Sequence, residues 1–195
     1  MSALLEQDLV SVGRAVPIRR VWAMPSKNTF DIPAIGALVK QYLYAAKVSV
    51  DPFARNNRWA THTNDLNPNT AAEHHMDAED FLHALRDEGV LCDLAILDPP
   101  YSPRQISECY KAAGLTVGMA ETQNAALYSR VRHALSQVLT PDAIVISCGW
   151  NSSGMGSSYG MEIAEMLIVC HGSAHNDTIV TVERSTLITQ SSFLL

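Results

Sequence analysis

The segment LCDLAILDPPYS (residues 91–102) decides the fold, because a continuous apolar run ends abruptly at an acid, two prolines and a tyrosine. An apolar run without alternation is typical of a strand that is buried on both faces of a parallel sheet. Pro99 and Pro100 cannot donate backbone hydrogen bonds, so the strand must end there. A turn alone would not require the carboxylate of Asp98 or the ring of Tyr101. This surplus indicates a functional site, and a strand-ending turn with an exposed tyrosine is the alternative.

Predicted strands and helices alternate on both sides of this segment. Helices are predicted at 30–46, 78–88, 103–113 and 121–139, and strands at 47–54, 61–68, 91–98, 143–150, 164–172 and 177–185. This order predicts an α/β sandwich with a mostly parallel sheet. The short polar loop between the last two strands predicts an antiparallel hairpin. Residues 1–20 have no clear period, so we expect a loosely ordered extension before a single domain at 21–190.

The apolar content, the net charge and the cysteine count limit the classes to which this protein can belong. The chain has 195 residues, 47% of them hydrophobic, but no apolar run of the roughly 18 to 20 residues that a membrane span needs. Its N-terminus does not resemble a signal peptide, so we expect a cytoplasmic protein. The net charge of −6 and the scattered basic residues argue against tight unaided binding to long duplex DNA. The four cysteines form no CxxC pair, and we predict no metal site.

Four acids lie at or just after the predicted strands of the first half: Asp51, Asp65, Asp77 and Asp98. Three of them are next to a proline or within a few residues of one. The ligand crevice of such a sheet lies at the carboxyl ends of its strands. These acids therefore predict an acidic pocket that suits a cationic or polyhydroxyl ligand. As alternatives, Asp51 and Asp65 simply begin turns, and Asp77 caps the helix that follows.

The residues from Asp98 to Tyr101 suit one particular chemistry. The Asp98 carboxylate can accept a hydrogen bond from a substrate amine, and the Pro99 carbonyl, held by the next proline, can accept a second. Two acceptors on one amine would direct its lone pair towards an electrophile. Tyr101 offers a flat face on which a ring can stack. Together they predict a planar heterocycle with an exocyclic amine as the substrate.

DPPY (98–101) resembles motif IV of the S-adenosylmethionine-dependent amino-methyltransferases, which methylate N6 of adenine or N4 of cytosine. VDPFA (50–54) resembles motif I of that family, and MPSKNTFDIPAIGALV (24–39) its helical motif over the cofactor. The combination of NDLNP, DPPYS, GWNS and HNDT is similar to small phage- and plasmid-type adenine-specific DNA methyltransferases. The resemblance implies a Rossmann-like class I methyltransferase fold, which is a three-layer sandwich whose mostly parallel sheet ends in an antiparallel hairpin.

The resemblance also implies roles for individual residues. The implied catalytic residues are Asp98, Pro99, Pro100 and Tyr101. The residues implied to bind S-adenosylmethionine are Asn28, Thr29, Asp51, Pro52, Phe53, Asp65 and Asp77. The residues implied to bind the substrate are Ser102, Trp150 and Asn151. Helix capping is the alternative role for Asn28 and Thr29, and strand-end packing is the alternative for Trp150 and Asn151. The Gly/Ser-rich segment that begins at Asn151, residues 151–160, is either a mobile lid or a connecting loop.

Motif I departs from the family pattern. The family continues DPF into a glycine-rich turn, DPFxGxG, but this chain has DPFARNNRW, with Arg55 at the first glycine. About ten residues separate Pro52 from the next predicted strand, which is too few for the usual crossover helix. We therefore expect the fold to lack that helix. We also expect the cofactor to be held differently, weakly or not at all.

The expected function is methyl transfer to an exocyclic amine of a nucleobase, and N6 of adenine in DNA is the substrate that we expect first. A base in duplex DNA must leave the stack, which costs a few kcal/mol. An acidic chain has little to offset that cost, so we expect a preference for single strands, a homodimer or a partner. RNA or a protein amide would suit the same chemistry. The alternative from another class is a catalytically degenerate methyltransferase fold that binds nucleic acid or protein.

Overall fold

The computed structural model describes residues 15–115 and 124–186. Its strands are β1 Ile18–Trp22, β2 Ser49–Asp51, β3 His62–Thr63, β4 Cys92–Leu97, β5 Leu139–Gly149, β6 Met161–Cys170 and β7 Thr178–Ser185. Its α-helices are α1 Pro33–Ala45, α2 Ala78–Asp87, α3 Pro103–Ala112 and α4 Asn124–Ser136. Single turns of 3₁₀ helix lie at Thr29–Asp31 and Ser157–Tyr159.

The seven strands form one sheet in the order β1-β6-β7-β5-β4-β2-β3. β7 runs antiparallel to both of its neighbours, β5 and β6, and every other neighbouring pair is parallel. The mostly parallel sheet and its final antiparallel hairpin are therefore confirmed. The carboxyl ends of six strands meet at one edge, which we call the carboxyl edge.

Helices cover both faces of the sheet. Leu94 and Ile96 of β4 belong to the core that α1 covers, whereas Ala95 and Leu97 belong to the core beneath α2, α3 and α4. Because successive side chains of a strand point to opposite faces, an apolar run is what this two-sided burial requires. The predicted three-layer sandwich is confirmed. In the described part of the chain, no helix is long and apolar enough to cross a membrane.

The connection from β2 to β3 is unusually short. Residues 52–61 contain no helix, and β3 has two residues where eight were predicted to form a strand. The missing first crossover helix is therefore confirmed. The buried amide of Asn64 holds this region instead: its Nδ2 donates to the carbonyls of Pro52 (3.1 Å) and Met76 (3.0 Å), and its Oδ1 accepts from the Met76 N–H (3.1 Å).

The sequence did not predict β1, and Ile18–Arg20 fall within the expected extension. β1 is an edge strand with mostly exposed side chains, so its residues lack the apolar pattern of a buried strand. It pairs in parallel with β6, from Ile18 opposite Met166 to Trp22 opposite Cys170. This pairing brings the following segment, residues 23–31, to the carboxyl edge. The predictions for residues 1–14, 121–123 and 187–190 lie outside the described residues.

Candidate active site

Asp98 lies directly after β4 at the carboxyl edge. Its carboxylate accepts hydrogen bonds from the hydroxyl groups of Tyr101 and Thr29. Burial raises the pKa of Asp98, and the two hydrogen bonds and the positive charge of Arg55 oppose that rise. Pro99, the next residue, is buried and adds its backbone carbonyl at the same edge. The structure therefore brings Asn28-Thr29 and the DPPY segment together, as the sequence predicted for one site.

Tyr101 lies between Asp98 and Trp150. Its hydroxyl donates to Asp98 Oδ1, its backbone N–H donates to Gln105 Oε1 (2.6 Å), and its ring meets the Trp150 ring edge-on with centroids 5.8 Å apart. Burial, with the negative charge of Asp98, raises the pKa of Tyr101 far above its ordinary value. The hydroxyl therefore remains a hydrogen-bond donor at neutral pH.

A cavity of about 550 Å³, which we call the wide cavity, opens beside Tyr101. Its lining includes Tyr101, Tyr128, Arg132, Trp150, Asn151 and Tyr159. The volume is within the range of small-molecule sites. Two predicted substrate residues, Trp150 and Asn151, line this cavity. The third, Ser102, caps α3 instead, where its Oγ accepts from the Gln105 N–H (3.3 Å).

A second cavity of about 220 Å³, the narrow cavity, has Asp98 in its lining. Its lining includes Asn28, Thr29, Asp31, Arg55, Trp59 and Asp98. Asp98 lines the narrow cavity and its hydrogen-bond partner Tyr101 lines the wide one. The two cavities are therefore neighbours, separated by the bonded pair of Asp98 and Tyr101.

Asp51 ends β2 and is buried, with 1% of its surface exposed. Its Oδ1 accepts from the Phe53 N–H (3.0 Å), as in a turn that begins with Asp. Burial raises the pKa of Asp51 well above its ordinary range, and the charges of Asp98 and Asp65 raise it further. Phe53, the next residue but one, is partly buried and packs against the core.

Asp65 and Asp77 both have protein partners for their two oxygens. Asp65 accepts from the N–H groups of Asn67 (2.8 Å) and Arg55 (3.1 Å). Asp77 is the N-cap of α2, where Oδ1 accepts from the Glu79 N–H (2.9 Å) and Oδ2 from the Tyr110 hydroxyl (2.9 Å). Neither carboxylate lines either cavity. The capping alternative for Asp77 is thus the role that the structure gives it.

Arg55 stands at the position where the motif I pattern has its first glycine. Its φ of +53° makes it the one non-glycine residue with a left-handed backbone among those that the structure describes. This conformation costs a residue with a Cβ about 1 to 2 kcal/mol. Arg55 Nη1 donates to the Lys27 carbonyl (2.5 Å). The turn keeps a backbone geometry that favours glycine, while the side chain reaches the segment before α1.

Glu183 on β7 is a functional candidate that the sequence analysis missed. Only 1% of its surface is exposed, and its carboxylate accepts from the N–H groups of Met155 (2.6 Å) and Gly156 (2.8 Å). Burial raises the pKa of Glu183, and these two bonds and the charge of Arg132 oppose the rise. The glycine-rich loop is therefore attached to the sheet. An acid inside the apolar run TIVTVE was the available signal.

No family model and no curated protein matches this chain. Among solved structures, SMU.776 with SAH shares 13% identity at a TM-score of 0.52, covering 75% of this chain and 48% of its own. TrmN from Thermus thermophilus shares 12% sequence identity at a TM-score of 0.51, and the match covers 79% of this chain and 49% of TrmN. NodS from Bradyrhizobium japonicum, an N-methyltransferase in complex with S-adenosyl-L-homocysteine, shares 12% sequence identity at a TM-score of 0.50. The match covers 83% of this chain and 90% of NodS. This chain spans about half the length of SMU.776 and TrmN. It has the Rossmann-like class I methyltransferase fold.

Proposed function

We propose that this chain transfers a methyl group from S-adenosylmethionine to an exocyclic amine of a nucleobase, with N6 of adenine in DNA as the first expectation. One observation carries the proposal: Asp98 and Tyr101 form a bonded pair between two neighbouring cavities. A methyl donor on the Asp98 side and a planar acceptor on the Tyr101 side would meet at this pair. The residue types at the pair match the chemistry of amine methylation.

The residues of the narrow cavity fit the proposed cofactor. The cavity combines a cation, Arg55, with the acid Asp31 and the polar side chains of Asn28 and Thr29. Such a mixture suits the charged amino-acid end of S-adenosylmethionine. Proteins of the same fold, SMU.776 and NodS, hold its product S-adenosylhomocysteine. When bound, the cofactor supplies a sulfonium methyl group as the electrophile.

In the proposed reaction Asp98 and Pro99 orient the substrate amine. The Asp98 carboxylate accepts one N–H and the Pro99 carbonyl accepts the other, so that the lone pair points at the methyl group. As the bond from nitrogen to the methyl group forms, the bond from that methyl group to sulfur would break and leave S-adenosylhomocysteine. The same two acceptors would stabilise the positive charge on the nitrogen until one of its protons is lost to solvent. The buried setting strengthens this electrostatic interaction. For the amine to reach Asp98 Oδ1, the Tyr101 hydroxyl must share or release that oxygen.

The wide cavity supports the nucleobase as the acceptor. It presents the aromatic side chains of Tyr101, Tyr128, Trp150 and Tyr159, on which a base can stack, and the cation of Arg132. A base that enters it must be single-stranded or flipped out of a duplex. Because the net charge is −6, we propose single-stranded DNA, or DNA presented by a partner or by a second copy of the chain, as the substrate.

A second candidate function is binding of nucleic acid or protein without catalysis. The observation that favours it is the altered motif I, in which Arg55 replaces a glycine and the crossover helix is missing. The deciding difference is the cofactor, since a binding module needs none.

The test has two parts. Calorimetric titration with S-adenosylmethionine is expected to give micromolar binding that Asp51→Ala abolishes and Asp51→Asn retains in part. Transfer of labelled methyl groups to single-stranded DNA, duplex DNA and RNA is then compared between the wild type and Asp98→Ala. We expect Asp98→Ala to lose transfer while cofactor binding persists. Transfer that survives Asp98→Ala would refute the role of Asp98, and absence of cofactor binding would favour the non-catalytic function.

A further inference from the structure

The narrow cavity contains one cationic side chain among the residues that line it, Arg55. Two acids, Asp31 and Asp98, also line this cavity. Asp31 is held in place, because its Oδ2 accepts from Asn28 Nδ2 (2.8 Å). The cavity therefore presents both signs of charge within a space of about 220 Å³. That combination suits a small zwitterion better than a neutral ring.

The Arg55 side chain is held at this cavity by its own backbone and by one hydrogen bond. Its N–H donates to Asp65 Oδ2 (3.1 Å) and its carbonyl accepts from the Ala72 N–H (3.1 Å), which together stabilise the left-handed conformation. Nη1 donates to the Lys27 carbonyl (2.5 Å), and the charge of the guanidinium acts on Asp98. Among the described residues, Nη1 is the one guanidinium donor atom of Arg55 with a hydrogen-bond partner. The remaining donors are available to a ligand.

The position of the narrow cavity and the charges of its lining indicate which end of the cofactor it would receive. The proposed function puts the sulfonium methyl group next to Asp98, so one of the two other groups on that sulfur, the methionine portion or the adenosyl portion, must lie in the adjoining space. The opposite charges of Arg55 and Asp31 suit the methionine portion, because it is the zwitterionic one. A guanidinium is planar and pairs with a carboxylate through two parallel hydrogen bonds. The family's glycine-rich turn would instead offer backbone alone at this point.

We propose that Arg55 binds the α-carboxylate of the cofactor's methionine portion, and that Asp31 faces its ammonium group. This inference rests on the proposed function, because it takes the cofactor position from Asp98. It gives the departure from DPFxGxG a purpose: an ion pair with a side chain replaces contacts with a glycine backbone. Arg55 is then a specificity-determining residue for the amino-acid end of the cofactor.

The test compares two ligands that differ at this end. S-adenosylhomocysteine carries the α-carboxylate and ammonium groups, whereas 5′-methylthioadenosine lacks both. We expect Arg55→Met to lower the affinity for S-adenosylhomocysteine by about 10- to 100-fold, as the loss of a charged, hydrogen-bonded contact does. The affinity for 5′-methylthioadenosine should stay within about twofold. Arg58→Met is the matched control, because Arg58 is exposed in the same turn and does not line the cavity.

Each result has a separate meaning. If Arg55→Met lowered the affinity for both ligands equally, the inference would be overturned, since Arg55 would then only support the fold of the turn. Unchanged or tighter binding of S-adenosylhomocysteine would also overturn it and would make Arg55 an obstacle in the site. If the wild type bound neither ligand, the proposed function and the inference would fail together. Calorimetry gives all of these affinities without a methyl acceptor.

Discussion

Replacing Gly154 by alanine is expected to detach the glycine-rich loop from β7. Gly154 has a φ of +48°, and a Cβ built on it would lie 2.0 Å from Glu183 Oε2 and 2.8 Å from Oε1. No carboxylate tolerates such contacts, so Glu183 or the loop must move. Either movement breaks the hydrogen bonds from the Met155 and Gly156 N–H groups to the Glu183 carboxylate.

The size of the effect follows from these contacts. Left-handed backbone costs alanine about 1 kcal/mol relative to glycine. Each hydrogen bond to a charged acceptor contributes about 1.5 kcal/mol at the low end of its range. We therefore expect Gly154→Ala to lower the free energy of unfolding by about 4 kcal/mol. Gly89→Ala is the control, because Gly89 has a φ of +74° and nothing lies within 4 Å of its added Cβ. It should cost about 1 kcal/mol.

Urea unfolding of the two variants and the wild type, followed by tryptophan fluorescence and circular dichroism, measures these differences. Trp150 adjoins the loop, so its emission should also report the loop's detachment at low urea. If Gly154→Ala were no less stable than Gly89→Ala, the contact between Glu183 and the loop would contribute little to stability. The reasoning about the buried carboxylate would then be wrong.

Three further substitutions test other parts of the site. Burial raises the pKa of Asp51 above its value in the unfolded chain, so the folded state binds more protons. The stability of the wild type should therefore fall as the pH rises from about 4 through the raised pKa. Asp51→Asn should remove that fall, which urea unfolding at about pH 4 and about pH 7 would show. Tyr101→Phe removes a hydrogen bond that lowers the pKa of Asp98, so the acid limb of the methyl-transfer pH profile should move to higher pH. Asn64→Ala leaves the buried carbonyls of Pro52 and Met76 and the Met76 N–H unpaired, and should lower the free energy of unfolding by about 3 kcal/mol. The control Asn67→Ala, at a partly exposed site with an exposed partner, should lower it by less than about 1 kcal/mol in the same unfolding measurement.

Contrary results would be specific. Wild-type stability that rises with pH relative to that of Asp51→Asn would mean that the carboxylate is stabilised rather than destabilised by its surroundings. An unmoved acid limb in Tyr101→Phe would separate the Tyr101 hydroxyl from the ionisation of Asp98. Equal losses in Asn64→Ala and Asn67→Ala would remove the argument that the Asn64 amide replaces the crossover helix.

Much of the architecture follows from local features of the sequence. The apolar run of β4 predicted a strand buried on both faces, because burial on both faces excludes polar residues from either set of alternate positions. The ten-residue spacing after Pro52 predicted that no crossover helix could fit, which is a matter of chain length alone. The short polar loop predicted the final hairpin. DPPY indicated Asp98 and Tyr101, which lie at the carboxyl edge, whereas Asp65 and Asp77 of the companion motifs line neither cavity.

Other features depend on contacts between residues far apart in the chain, and only the tertiary structure decided them. β1 is a strand because β6 pairs with it, although its own side chains are mostly exposed. The resemblance indicated that Arg55 stands where the family pattern has a glycine, but not that its side chain would reach the Lys27 carbonyl and that its charge would act on Asp98. Glu183 reaches the N–H groups of a loop 27 and 28 residues earlier. Such partners are chosen by packing in three dimensions, and no local pattern of residues encodes them.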